Sequence, residues 1–339
     1  MEIIVKSFNR PFYLERCLKS IFLYLKGDYK IIVLDDGTPE RYLNKIKLEF
    51  PEVEIRLSSQ YASKIKSIQN NLEKGEEING FEIPTDLWVN AVKEAPSDYV
   101  LVTEDDVWLT QEVNLNLILD EMISNQVRFV KLGWLGNKSE EEYSEIQKIS
   151  KNLERIRPQN LFTANALLMD WFMYNKFKFF TFLYKLGIVD NHTKLKYWSL
   201  NSILMGLYEK EYWLYIWKDA NGKVDEKQQL RNAAVYYHKQ KQNPNFIART
   251  NQEYLKTTFQ SSATNSYHGY GYNFDVNYFN HLMNEAWFRE EFDVMENFPK
   301  DFSMDYFEKF IDKKINKEEF RSWVEKFKKQ YRNLGAQVD

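Results

Sequence analysis

From its first residue the chain alternates short apolar runs with longer stretches of helical period. Glu2–Val5 is a β-rich run ending at Lys6-Ser7-Phe8-Asn9-Arg10-Pro11. Pro11 suits the first turn of a helix, and Tyr13–Lys26 carries apolar residues at helical spacing. Gly27-Asp28 breaks that pattern. Tyr29–Leu34 then predicts a second strand, buried on both faces and ending at Asp35-Asp36-Gly37-Thr38. Thr38-Pro39-Glu40 reads as the opening of another helix with Thr38 at its N-cap. Val53–Leu57 predicts a third strand, Ile65–Leu72 and Leu87–Glu94 two helices, and Tyr99–Thr103 a fourth strand. Such alternation predicts an α/β fold, a mostly parallel sheet flanked by helices.

The fourth strand stops at three consecutive carboxylates, Glu104, Asp105 and Asp106. So much negative charge at the end of a buried strand is costly unless a cation or hydrogen-bond donors answer it. Right-handed crossovers bring the ends of the second and fourth strands to one edge of the sheet, where ligands of open α/β sheets bind. One acidic set there suits hydrogen bonds from a base or ribose, and the other a hard divalent cation on a diphosphate. A solvated acidic turn with a helix cap is the plainer alternative. Lys64 and Lys66, after the third strand, could assist with the phosphates, but read more simply as a solvated helix face.

Farther along, Gln126–Leu132 predicts a strand and Glu140–Arg155 a polar, charged helix. Tyr212–Trp217 and Ala233–Lys239 read as strands, the second ending at His238. A neutral imidazole there is a competent metal ligand, and equally a structural side chain. Asn243–Asn277 is polar, with Tyr267, Tyr270 and Tyr272 spaced by glycines, offering flat faces to sugar rings or simply a packed loop. Phe302–Leu334 has an apolar helical stripe with lysines on its other faces. Packing on its own domain or in a homodimer is expected, with peripheral docking on an anionic membrane the alternative.

Composition narrows the class. Of 339 residues 44% are hydrophobic and 28% charged, ordinary for a globular protein. The 22 Tyr, 24 Phe and 9 Trp are a surplus that suits stacking on bases and sugars as well as core packing. A net charge of −3 gives no reason to expect a nucleic-acid partner. The single Cys17 excludes an internal disulfide framework and fits the apolar face of the first helix. With no basic-then-apolar leader before Ile3 and no run of membrane-spanning length, the expected location is cytoplasmic, at most peripheral to the inner face of the membrane.

Three stretches, IIVKSFNRPFYLERCLKSI, YKIIVLDDGTPE and WVNAVKEAPSDYVLVTEDDVWL, together resemble the nucleotide-binding half of the family 2 glycosyltransferases of GT-A fold. The resemblance covers roughly the first 110 residues. It implies a Rossmann-like catalytic domain over residues 1–240, with a nucleotide-binding half (1–110) and a sugar and acceptor half (111–240). A loop-rich, then helical extension over 241–339 follows. It also implies transfer of a sugar from a nucleotide-sugar donor, usually UDP-linked, to an acceptor hydroxyl on a glycan, a lipid-linked or a protein-linked substrate, with inversion favoured over retention, which would require no general base. Lys6, Ser7 and Phe8 would line the base pocket, Asp36 bind the base and Asp35 support its loop. Glu104-Asp105-Asp106 stands where the family has Asp-x-Asp: Asp106, with Glu104, would hold Mn²⁺ or Mg²⁺, Asp105 would contact ribose or the metal's waters, and His238 would complete the metal site. Leu161–Trp171 resembles the donor-sugar segment, through Thr163, Ala164 and Asn165, which alternatively just start a helix. Where inverting members place their base, Lys196–Leu200 has no acid. Asp190 is the nearest upstream candidate, ahead of Glu209, Glu211 and Asp219.

Two rivals remain. A sugar-nucleotide pyrophosphorylase also uses a Rossmann-like sheet with carboxylate-bound Mg²⁺, but Lys6-Ser7-Phe8-Asn9 lacks its glycine-rich phosphate loop. A catalytically silent sugar- or nucleotide-binding domain is favoured by the missing acid near Trp198 and opposed by the intact acidic triplet.

Overall fold

The computed structural model describes all residues except 79, 138, 203, 264–270, 273 and 339. Nine strands form its main sheet: β1 (Glu2–Ser7), β2 (Lys30–Asp35), β3 (Glu54–Leu57), β4 (Tyr99–Glu104), β5 (Phe129–Lys131), β6 (Ser144–Lys148), β7 (Leu153–Pro158), β8 (Gly206–Glu209) and β9 (Ile247–Thr250). Their spatial order is β3-β2-β1-β4-β8-β5-β9-β7-β6. Only β7 and β8 run against the rest, so the expected mostly parallel α/β sheet is the one observed.

Strand alternation builds a core on each face. Ile3 and Val5 of β1, Ile31 and Val33 of β2 and Leu101 of β4 point to one face. Ile4, Ile32, Leu34, Val100 and Val102 point to the other. The first face is covered by α1 (Pro11–Tyr24) and, across it, by α10 (Val276–Phe288) and α11 (Lys317–Asn333). The second lies under α4 (Thr85–Glu94), α6 (Ala166–Met173), α8 (Lys210–Trp217) and α9 (Glu226–Lys239). The remaining helices considered below are α2 (Glu40–Glu49), α3 (Tyr61–Lys74), α5 (Leu115–Ser124) and α7 (Phe179–Lys185).

Several expected elements differ. Tyr212–Trp217 and Ala233–Lys239 are helical, in α8 and α9, rather than strands. Both are buried by neighbouring helices on nearly every side, which erases the polar face that marks a helix in sequence. Asp225 caps α9 by accepting from Gln228 N at 2.9 Å. Glu140–Arg155 is mostly not helical: a short helix, Ser139–Tyr143, precedes the β6–β7 hairpin, in which Arg155 meets Glu145 across the strands at 2.9 Å. Thr38 does not cap α2. Its hydroxyl instead donates to Asp35 at 2.6 Å while Pro39 occupies the N-cap.

The sheet continues past residue 240, since β9 lies between β5 and β7. The C-terminal helices pack on the chain's own core: Phe320, Trp323 and Val324 of α11 are buried, with Phe320 stacked on Phe279 at 4.8 Å. Arg16, on α1, ties this region down. It is fully buried between the rings of Trp108 and Phe302 and donates to the carbonyls of Val294 (2.9 Å), Glu296 (3.1 Å) and Lys300. Arg16→Met should leave those carbonyls without their donor and cost roughly 3–5 kcal/mol, read as a fall in the urea midpoint. An unchanged midpoint would refute this anchoring role.

Candidate functional site

The carboxyl ends of β1, β2 and β4 lie side by side and supply the charged groups of one cleft. Register sets Lys6 beside Glu104, and the two side chains pair at 2.6 Å. The chain then turns through Asn9, at a φ of 48°, and enters α1 at Arg10. This aims the buried Arg10 guanidinium back at the acids: Nη2 reaches Asp105 at 2.6 Å and Nη1 reaches Asp106 at 2.9 Å. Asp105 also accepts from Phe8 N at 3.1 Å. Burial works against the charged Arg10, but Asp105 and Asp106 outweigh it and its pKa stands above the ordinary value. Burial pushes the Asp105 carboxyl up to about 7, with Arg10 opposing and Asp106 adding to the rise.

At the end of β2, Asp35 shapes its own loop. It accepts from Gly37 N (3.1 Å) and Thr38 N (2.8 Å) as well as the Thr38 hydroxyl. Phe8 packs so tightly on Gly37 that a β-carbon there would stand 2.8 Å from the ring. Asp36 is held by Ser58 and by Lys64, which also donates to Glu82 O at 2.6 Å. Lys64 is thus almost wholly buried, not on the solvated face expected of it.

Two lobes meet at Lys6 and Glu104. One is a largely apolar slot lined by Phe8, Phe81, Ile83, Pro84 and Trp88, with Asp36, Glu82 and Asp105 as its acids. The other is lined by Asn201, Ser202, Tyr208, Trp213, Trp217, Glu226 and Gln229. Lys6 Nζ lies 4.7 Å from the Trp88 ring at their boundary. Two buried donors on these walls, Trp88 Nε1 and Gln229 Nε2, have no partner among the described residues. Burial, then the Asp225 charge, raises the pKa of Glu226.

Lys6, Ser7, Phe8, Asp35, Asp36, Glu104, Asp105 and Asp106 are therefore brought to one sheet edge, as expected. Other candidates are not. His238 sits in α9, twelve residues beyond Glu226, or ~18 Å along the axis, with its Nδ1 3.3 Å from the Thr163 hydroxyl. It does not join the acids, because the element carrying it is a helix that starts at the cleft and runs away from it. Thr163 and Ala164 lie at that remote end, and Asn165 caps α6 by accepting from Leu168 N at 3.1 Å. Asp190 is exposed and closes its own turn, accepting from His192 N (2.9 Å) and the Thr193 hydroxyl (2.8 Å), with Lys196 at 3.5 Å. Its slight burial raises the carboxyl pKa, but those partners outweigh it and leave it below the ordinary value, the wrong direction for a base. The tyrosines Tyr267 and Tyr270 lie outside the described residues.

Sequence reasoning does not single out Arg10, Trp88, Glu226 or Gln229, and sets Lys64 on a solvated face. Arg10 had a signal: three adjacent acids at a strand end need cations, and it follows the neighbouring strand. Val224-Asp225-Glu226, a helix start after Gly222, was the signal for the acid of the second lobe.

The acids suit a hard divalent ion in kind. Among the described residues no cluster of three or more His, Cys, Asp or Glu side chains is disposed to hold a metal. Mg²⁺ commonly takes one or two carboxylates and completes its shell with substrate phosphates and water. Glu104 and Asp106 are the most accessible of the acidic triplet, with side chains 42% and 15% exposed, and Lys6 and Arg10 leave one of its three charges unanswered.

No protein-family model matches the chain, and neither does any curated protein. Solved structures do show likenesses. S. aureus TarS 1-349 in complex with UDP-GlcNAc is 12% identical, with 98% of this chain and 81% of that chain covered at a TM-score of 0.42. The galactosyltransferase LgtC, in complex with donor and acceptor sugar analogs, is 14% identical over 69% of this chain and 70% of that one, at 0.31. Glucosyl-3-phosphoglycerate synthase from Mycobacterium tuberculosis, in complex with Mn²⁺, UDP and phosphoglyceric acid, is 10% identical over 76% and 70%, at 0.36.

Two predictions follow from the buried charges. Lys64→Met should strand Asp36 and cost roughly 3–5 kcal/mol, whereas adding Asp36→Asn should recover most of the loss. Additive losses in a double-mutant unfolding cycle would refute the pairing. Burial also holds the Asp35 carboxyl up at about 6, against the bonds from Thr38 and Gly37. A carboxyl raised on folding contributes stability that is complete below its unfolded pKa near ~4 and is lost as pH rises through the folded value. Asp35→Asn should therefore flatten the fall in unfolding free energy between about pH 4 and pH 6; an unaltered slope would contradict it.

Proposed function

We propose that the chain is a glycosyltransferase, moving a hexose from a UDP-linked donor to an acceptor hydroxyl on a glycan, lipid-linked or protein-linked substrate. The observation that carries this reading is the two-lobed cleft meeting at the acids that close the central strand. The apolar slot takes the base: Ser7 and Phe8 line it, Asp36 fixes its floor through Ser58 and Lys64, and Asp35 holds the adjoining turn. Asp105 faces the ribose. The diphosphate lies at the boundary, where Lys6 and Arg10 offer positive charge. In the second lobe Gln229, whose Oε1 accepts from Asn201 while its Nε2 has no partner among the described residues, would offer a donor to a sugar hydroxyl.

A Mn²⁺ or Mg²⁺ ion on Glu104 and Asp106 would supply positive charge to the leaving diphosphate. Glu226 lines the same lobe, and its carboxyl pKa is raised above the ordinary value, the direction a general base needs. We assign it the role first given to Asp190: it takes the acceptor's proton as the hydroxyl attacks with inversion. Both lobes are lined from residues 1–240, apart from Ala263, while the C-terminal helices cover the opposite face of the sheet over α1.

Calorimetry with UDP, then nucleoside diphosphate release from a panel of UDP-sugars, tests the reading. UDP should bind more tightly with Mn²⁺ than after chelation, and Asp106→Asn should lose that gain. Glu226→Gln should keep donor affinity while transfer falls about 10²–10⁴-fold. Wild-type transfer by Glu226→Gln would remove the base assignment. UDP binding with neither metal gain nor turnover of any donor would mark a silent nucleotide-binding domain instead.

A further inference from the structure

Eight of the fifteen exposed large apolar side chains among the described residues fall between Leu167 and Leu195, a concentration that an ordinary surface does not show. They are not scattered. Leu167 and Trp171 lie one turn apart on α6, and the Trp171 ring meets Phe177 at 5.4 Å and Phe179 at 6.1 Å. Phe179 and Phe182 of α7, and Leu186 directly after it, then continue the stripe. Phe177 is 84% exposed and sits, with Asn175 and Lys178, at positive φ, so strained backbone holds an aromatic ring out into water.

Charge distinguishes the partner. From Trp171 to Val189 the sequence has Lys176, Lys178 and Lys185, all exposed, and no Asp or Glu. The flanking acids are already engaged, Asp170 by Arg231 at 2.8 Å and Asp190 by Lys196. Two copies of this face meeting about a twofold axis would press unanswered lysines together. A surface of aromatic and aliphatic side chains ringed by lysine instead matches the headgroup layer of an anionic bilayer, where rings enter the interface and lysines meet phosphate. Among the described residues no helix is long and apolar enough to cross a membrane.

We propose that the Leu167–Leu195 face is a membrane-docking surface that seats the protein on anionic lipid through Phe177, Phe182 and Leu186, with Lys176, Lys178 and Lys185 around them. It is not the C-terminal helix that docks, since the apolar stripe of α11 is buried in the core. The inference does not rest on the transferase reading and is tested separately from it.

The test is co-sedimentation of the full chain with vesicles of phosphatidylcholine, alone or mixed with phosphatidylglycerol, at low and high salt. Binding should require phosphatidylglycerol and weaken with salt. Each lysine near a charged surface is worth roughly a fivefold change in partition, so Lys176→Glu with Lys178→Glu and Lys185→Glu should lower it at least on the order of a hundredfold. Phe177→Ser with Phe182→Ser should lower it even at low salt. Circular dichroism and a retained melting transition verify the folding of each variant, and Phe177→Ser alone, at an exposed site, serves where a multiple variant does not fold. No binding to anionic vesicles, or binding untouched by folded variants, overturns the proposal. So does a dimer in sedimentation velocity that Phe177→Ser dissolves, which would give the face to a second copy.

Discussion

Everything at the carboxyl edge depends on answering three carboxylates at the end of a buried strand. The answer comes from the adjacent parallel strand. Register alone puts Lys6 opposite Glu104, and the turn into α1 delivers Arg10 to Asp105 and Asp106. A buried charge stripped of its partner costs roughly 3–5 kcal/mol, so neither strand end nor the first turn of α1 is free to move alone. Arg10 also occupies the ground between the two aspartates. Any cation drawn to these acids would therefore meet a site already part neutralised, and would have to compete with the guanidinium for the two aspartates.

How far this was legible from residues varies along the chain. The first 110 residues were read well because their signals are local: β-branched runs without a polar face, proline at a helix start, acids at two strand ends. The pairings of Arg10 and Lys64 are not legible in sequence, because what makes each special is a partner 95 and 28 residues away. The helices α8 and α9 were taken for strands because aromatic segments such as YWLYIW are covered on most sides and show no amphipathic period. Because that segment is a helix, His238 lies beside Thr163 rather than among the acids.

Asp190 is a different case. Position along the chain nominated Asp190, yet closing a turn already engages that carboxylate. The acid that faces the cleft, Glu226, comes instead from the start of a helix whose place depends on β8 inserting antiparallel between β4 and β5. Gly206, at the start of β8, leaves no room for a β-carbon beneath the stacked Phe129 and Tyr208 rings, so a close backbone approach sets the second lobe. No pattern within the segment itself announces that arrangement.

The Arg16 anchor bears on how the polypeptide acquires its shape. Its carbonyl acceptors lie some 280 positions later in the sequence, and much of the apolar cover over α1 comes from Phe274 onward. A ribosome releasing this polypeptide presents strands and α1 long before their cover exists. Contacts of such high sequence separation form slowly, and the bare aromatic flank is sticky in the interval. The emerging chain is thus a natural client for chaperones until the segment from Phe274 onward has been made.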